Sequence, residues 1–192
     1  MPNWCNNTVE IRHEDPVMLE RVRTAFNNGA LLAEFIPVPE ELQITAGRTN
    51  NPDENQKIVN AEETNREKYG YSNWYDFCVS EWGTKWDVGG DGAVPHDIDG
   101  GIMISFDSAW SPPIAAYEKL TEMGFIIRAF YHESGMCFAG IWEDGFDDYY
   151  EFSDMNSLEV ADTLPEELDE MFCISEQMAE WEADNEEIND EE

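Results

Sequence analysis

Residues 101–143 read GIMISFDSAWSPPIAAYEKLTEMGFIIRAFYHESGMCFAGIWE and hold, in order, a strand, a helix and a pair of strands. Ile102, Ile104 and Phe106 alternate with Met103, Ser105 and Asp107, the period of a half-buried strand. Ser111 is placed to cap the helix that follows, with Pro112 opening it, where a missing N–H costs nothing. Ile114, Tyr117 and Leu120 form its inward stripe and Gly124 stops it. Residues 125–132 and 136–143 then read as strands joined by the hairpin signal Glu133-Ser134-Gly135.

The same order precedes this stretch. Thr8, Val9 and Ile11 place a first strand over about 6–13, and Asp15 caps a helix with Pro16 at its first position. Met18, Leu19, Val22, Ala25 and Phe26 supply its apolar face, and Gly29 ends it. Prolines extend 35–39, and Glu40-Glu41-Leu42 makes a helical turn. Residues 45–65 are polar and read as an exposed insertion or long loop. Ser72 caps a short helix presenting Trp74, Phe77, Cys78 and Trp82; residues 84–88 read as a strand and 149–153 as another. The class is α+β: a ferredoxin-like antiparallel sheet with helices on one face, extra C-terminal strands and an acidic C-terminal helix. Two units are expected, residues 1–153 with the insertion 45–65, and an acidic extension over 154–192.

Several blocks also occur in a recognisable order. They are MPNWCNN at 1–7, FIPVPEEL at 35–42, YGYSNWYD at 69–76, WGTKWD at 82–87, FDSAWSPP at 106–113 and ESGMCFAG at 133–140. Together they resemble the YubB-like ferredoxin-like proteins carried by plasmids and bacteriophages. The resemblance covers about residues 1–153 and implies the fold and a mobile-element origin. It carries over no catalytic residue, and the acidic segment lies outside it.

Charge is the abnormal quantity: 43 acidic and 10 basic residues give a net of -33 over 192 residues. Direct binding to a phosphate backbone or an anionic membrane is disfavoured, because both need Lys and Arg to displace counterions. Residues 129–192 hold 22 acidic residues and no Lys or Arg, so one third of the chain carries two thirds of the net charge. No apolar stretch reaches the length of a membrane span, and the start lacks the basic and apolar regions of a secretory signal. Cys5, Cys78, Cys137 and Cys173 are scattered without a close pair, which points to reduced, mostly buried thiols and the cytoplasm, that of the host for a phage-borne protein.

Two places stand out as sites. Residues 164–187 carry ten carboxylates and no cation, behind a capping box at Thr163 and Glu166. Leu164, Leu168, Met171, Ile174, Met178 and Trp181 give the segment an apolar stripe, so it reads as one amphipathic helix. Such a helix is ~36 Å long with a negative charge every ~3.6 Å, close to the ~3.4 Å of a DNA strand. The uses that fit are a decoy for a nucleic-acid-binding host protein, another protein-binding role, solubility alone, or, last, catalysis. The partner-binding candidates are Glu166, Glu167, Glu170, Glu176, Glu180 and Glu187. The second place is Trp82, Lys85, Trp86 and Trp110, either a ligand cleft with a cation and stacking rings or ordinary interface packing with a cation–π contact.

Other features stay bland. Asp87, Asp91, Asp97 and Asp99 lack the spacing of a twelve-residue calcium loop, and Asp144, Asp147 and Asp148 fall on an expected hairpin loop. Phe130, Tyr131 and Phe138 lie on strands but lack the basic signature of RNA-reading sheets. His13, His96 and His132 stand apart from any nucleophile motif. The expectation is therefore a non-enzymatic accessory protein with no cofactor or metal, binding a basic, nucleic-acid-handling host protein; a small-ligand or enzymatic site around Lys85 is the alternative.

Overall fold

A computed structural model of the protein describes residues 3–90 and 92–190, the last five by backbone alone. The strands are β1 (Trp4–Arg12), β2 (His96–Ile98), β3 (Gly101–Ala109), β4 (Ile126–Glu133), β5 (Phe138–Glu143) and β6 (Phe146–Glu151). The helices are α1 (Pro16–Asn27), α2 (Leu31–Phe35), α3 (Pro52–Tyr69), α4 (Trp74–Glu81), α5 (Ile114–Glu122), α6 (Ser157–Thr163), α7 (Glu166–Phe172) and α8 (Ile174–Asp190). A 3-10 turn covers Glu40–Leu42, where a helical turn was expected. All strand pairs are antiparallel, in the order β2-β3-β1-β4-β5-β6. The α+β class read from the sequence holds.

Alternation sorts the sheet into two faces. Val9 lies opposite Ile104 on one side and Ala129 on the other, while Ile11 lies between Ile102 and Ile127. These residues and Trp142 form one core with Val22 and Phe26 of α1 and with Tyr117 and Leu120 of α5. The intervening residues Phe130, Ala139 and Ile141 point the other way, into a second core with Phe152, Val160, Leu164, Leu168 and Ile174. Helices therefore cover both faces rather than one. The reason lies in β4 and β5, which are apolar at consecutive positions and so need a cover on each side.

Local signals misled where tertiary partners intervene. The polar insertion expected over 45–65 is largely α3, capped by Asn51 and ended by the left-handed Gly70. Ile58 and Asn65 are its buried residues, and Asn65 donates to the carbonyls of Glu41 and Ser72. Asn73 caps α4 in place of Ser72, and Pro113 precedes α5, because the Ser111 hydroxyl is engaged with the Gly83 carbonyl instead. Residues 84–88 form no strand. The turn Asp144-Gly145 has positive φ at both residues, which suits a tight hairpin and starts β6 at Phe146 rather than Tyr149.

The acidic segment is not one continuous helix. Cys173 adopts φ 52° and ends α7 in the left-handed conformation, and α8 restarts at Ile174. Thr163 closes α6 instead of capping α7, and the true capping box pairs Asn156 with Glu159. Across the kink, Leu168 of α7 and Ile174 of α8 both reach the second core, and α8 packs against α6.

Gly89 seats the loop after α4 on the end of α1. Its φ is 97°, and a Cβ there would lie 2.3 Å from the Phe26 carbonyl oxygen. We expect Gly89→Ala to destabilise the fold by about 1–3 kcal/mol or more, the range for a residue held in forbidden backbone space, and a thermal melt measures it.

Candidate functional site

A short polar chain fixes the loop 82–88 to the end of β3. Asn7 Nδ2 donates to Ser108 Oγ at 2.9 Å, Ser108 Oγ to the Ser111 carbonyl at 2.7 Å, and Ser111 Oγ to the Gly83 carbonyl at 2.7 Å. Thr84 Oγ1 accepts from the Ala109 N–H and donates back to its carbonyl, both at 3.1 Å. Asn7, Thr84 and Ser108 are buried, Ser111 is partly so, and each is hydrogen-bonded, which fixes the loop. Asp87 secures its far end: one carboxylate oxygen accepts from Leu32 and Val88 N–H groups, the other from Ala33. Burial pushes the Asp87 carboxyl above its usual range, against the lowering by those three donors.

This frame presents three indoles. Trp86 lies 6.4 Å from Trp110 in a stacked pair and 5.9 Å from Trp4. All three are substantially exposed, at 39%, 43% and 46%. Lys85 Nζ sits 4.5 Å from the Trp86 ring centre, 5.4 Å from Trp110 and 5.6 Å from Tyr75. Among the described residues no carboxylate pairs with Lys85. Trp110 holds φ 68° while its N–H donates to the Asn3 carbonyl at 2.9 Å. A tryptophan in that conformation costs energy that the surrounding contacts must supply.

Trp82 does not belong with them. It is buried in the first core, and its Nε1 donates to the Ile36 carbonyl at 2.9 Å. Lys85, Trp86 and Trp110 do come together. Trp4 was missed by sequence reasoning, because only the strand register sets it opposite Ala109 and hence beside Trp86.

Over β4 and β5, the acidic helices separate their carboxylates by task. Glu167 pairs with Arg128 at 2.5 Å, Asp169 accepts from the N–H and hydroxyl of Ser175 at the start of α8, and Glu182 accepts from the N–H and hydroxyl of Ser157. These three tie helices to each other or to β4. Glu166, Glu170, Glu176 and Glu180 are exposed and pair with no cation among the described residues. Glu187 lies in α8, but its side chain is outside the described residues.

The remaining candidates have structural roles. Asp97 pairs with Arg23, Asp91 lies outside the described residues, and among the described residues no group of three or more His, Cys, Asp or Glu is placed to hold a metal. Asp147 accepts from Tyr131 Oη at 2.6 Å, and with Asp148 it lies on β6 rather than in the hairpin loop. The four cysteines are free; Cys5 and Cys78 are buried, while Cys173 is exposed and Cys137 partly so. Burial pushes the Cys5 thiol up to about 12, so it stays protonated and unreactive. Among the described residues no helix is long and apolar enough to cross a membrane.

No family model and no curated protein matches this sequence. Among solved structures, the chain is similar to the crystal structure of a protein api92 from Yersinia pseudotuberculosis, of the family DUF1281. Identity is 12% and the TM-score 0.41, over 80% of this chain and 99% of that one. A likeness this loose bears on neither activity nor partners.

His132 connects the acidic helices to the sheet, its ring 6.0 Å from Phe152 and 5.7 Å from Phe172. Burial lowers its pKa, an effect larger than the opposing pull of Glu133. The unfolded chain therefore binds the proton more readily, and stability falls as pH drops through the unfolded value of about 6.5. Denaturant melts from pH 8 to 5 should show this loss, and His132→Gln should remove it.

Proposed function

We propose that this is a non-catalytic accessory protein of a mobile element, acting in the host cytoplasm by docking a basic, nucleic-acid-handling host protein on its acidic C-terminal helices. The observation that carries the reading is the set Glu166, Glu170, Glu176 and Glu180, exposed and paired with no cation among the described residues, on helices seated in the second core. Each pair is spaced i,i+4, so each lies on one face of its helix, where like charges destabilise by a few tenths of a kcal/mol. A partner's Lys and Arg relieve that repulsion, and long-range attraction speeds encounter. The kink at Cys173 makes this two short anionic rows, not one rod with the charge spacing of a nucleic-acid strand. Competition for a polyanion-binding groove then rests on charge density rather than on a copied backbone. The strand order β2-β3-β1-β4 supports reading residues 1–153 as ferredoxin-like, in keeping with the family resemblance.

Capture of proteins from host lysate should fall steeply between about 0.05 and 0.5 M salt, as screening shortens the reach of exposed charge. The quadruple variant E166K/E170K/E176K/E180K, checked for folding by circular dichroism, should lose capture. Salt-insensitive capture that survives the variant counts against the reading.

A second reading rests on the exposed indoles: Lys85 with Trp86 and Trp110 forms a small-ligand or enzymatic site. The strained backbone of Trp110 favours it. A thermal-shift screen of carboxylate metabolites should then give a stabilisation that Lys85→Ala abolishes, and no stabilisation by any of them removes this reading.

A further inference from the structure

β3 has an open stretch along its outer edge. β2 pairs with it only over 101–103, where Ile98 faces Gly101 and His96 faces Met103 across the turn Asp99-Gly100. At the far end, Thr84 Oγ1 occupies both the N–H and the carbonyl of Ala109. In an antiparallel strand, alternate residues aim both backbone groups to the same side. Gly101, Met103 and Ala109 point outward, so Ser105 and Asp107 do as well. Among the described residues neither backbone has a partner on that side.

A groove of about 500 Å³ runs along this edge, lined by residues 105–109, Trp4, Trp86, Gly89, Gly90 and Ala93. That volume lies in the range of ligand-binding clefts, ~300–1,000 Å³. The opposite wall is fixed, since Gly90 N–H donates to the Phe26 carbonyl at 2.7 Å and Ala93 N–H to the Gly90 carbonyl at 3.0 Å. Trp4, Asn6 and Asp107 share one face of the sheet, and Asp107 is exposed and accepts from the Asn6 amide at 2.7 Å.

We propose that this edge takes an extended peptide segment as an added strand, and that the segment carries Lys or Arg at alternate positions. Main-chain bonds to Ser105 and Asp107 supply the pairing, as in other cases of strand addition. Alternate side chains of an added strand fall on one face. There a cation meets the Asp107 carboxylate and the Trp4 ring, both favourable to positive charge, while Lys85 already covers the Trp86 ring. The net charge of -33 repels an acidic segment. It equally disfavours a second copy of the chain, which carries the same charge. The site is independent of the acidic helices.

The test uses the full chain and a synthetic peptide of alternating Thr and Lys, with Trp fluorescence and amide hydrogen exchange as readouts. Binding should slow exchange at Ser105 and Asp107. N-methylation of the peptide's central residues should weaken it roughly tenfold, the loss of one or two backbone hydrogen bonds. A Thr/Glu peptide should not bind. Ser105→Pro removes an outward N–H and should block binding; if that variant fails to fold, Trp86→Ala should weaken binding while leaving the fold intact. Equal affinity for the N-methylated peptide, no protection at Ser105 and Asp107, or a homodimer formed through this edge overturns the proposal. The E166K/E170K/E176K/E180K variant should bind the peptide as the wild type does, so failure of either idea is seen separately.

Discussion

β1 runs down the middle of the sheet, hydrogen-bonded to β3 on one side and β4 on the other, and every other element takes its place from that double pairing. Because the register is shared, Val9 and Ile11 meet partners from both neighbours on the first-core face, and a slip of one residue would turn those side chains to the opposite face. The same register puts Asn7 beside Ser108, which starts the polar chain that anchors the loop 82–88. Trp4 reaches Trp86 for the same reason. The aromatic cluster and the open edge of β3 are thus both consequences of how the central strand is paired.

The two sheet faces are treated differently. The first is covered along its length by α1, α5 and the loops between them. The second is a packed apolar core over β4 and β5, where α6, α7 and α8 lie; across β1 and β3 it carries Trp4 and the hydrogen-bonded pairs Asn6–Asp107 and Thr8–Ser105. This polar half requires no cover. Charge follows a related division. Seven of the ten cations hold carboxylates in ion pairs among the described residues, and most of those sit on the β1–α5 part of the chain, so the excess of negative charge is left on the C-terminal helices and β6. Mutual repulsion on that scale favours solubility and penalises compactness, and here the second core holds the helices in place against it.

Periodicity and end signals sufficed for β1, α1, β3, β4 and β5, because each is half-buried and its apolar spacing reports the buried side directly. They failed for α3, whose 18 residues bury chiefly Ile58 and Asn65, so almost no apolar stripe marks it. They failed again at Cys173, a non-glycine residue in a left-handed turn that interrupts an apolar spacing otherwise consistent with one helix. Trp82 and Trp86, four residues apart, looked equivalent as a pair of indoles, yet one is core and the other surface.

What the sequence by itself determined was the α+β class, the position of most strands and the concentration of negative charge, since these follow from local spacing and composition. Only the tertiary structure decided which carboxylates are engaged internally, that Trp4 joins Trp86 and Trp110, and that Ser105 and Asp107 face an unpaired edge. Those outcomes depend on contacts between residues as many as a hundred positions apart, such as Asn6 with Asp107. Strand register creates such contacts, and no local pattern encodes it.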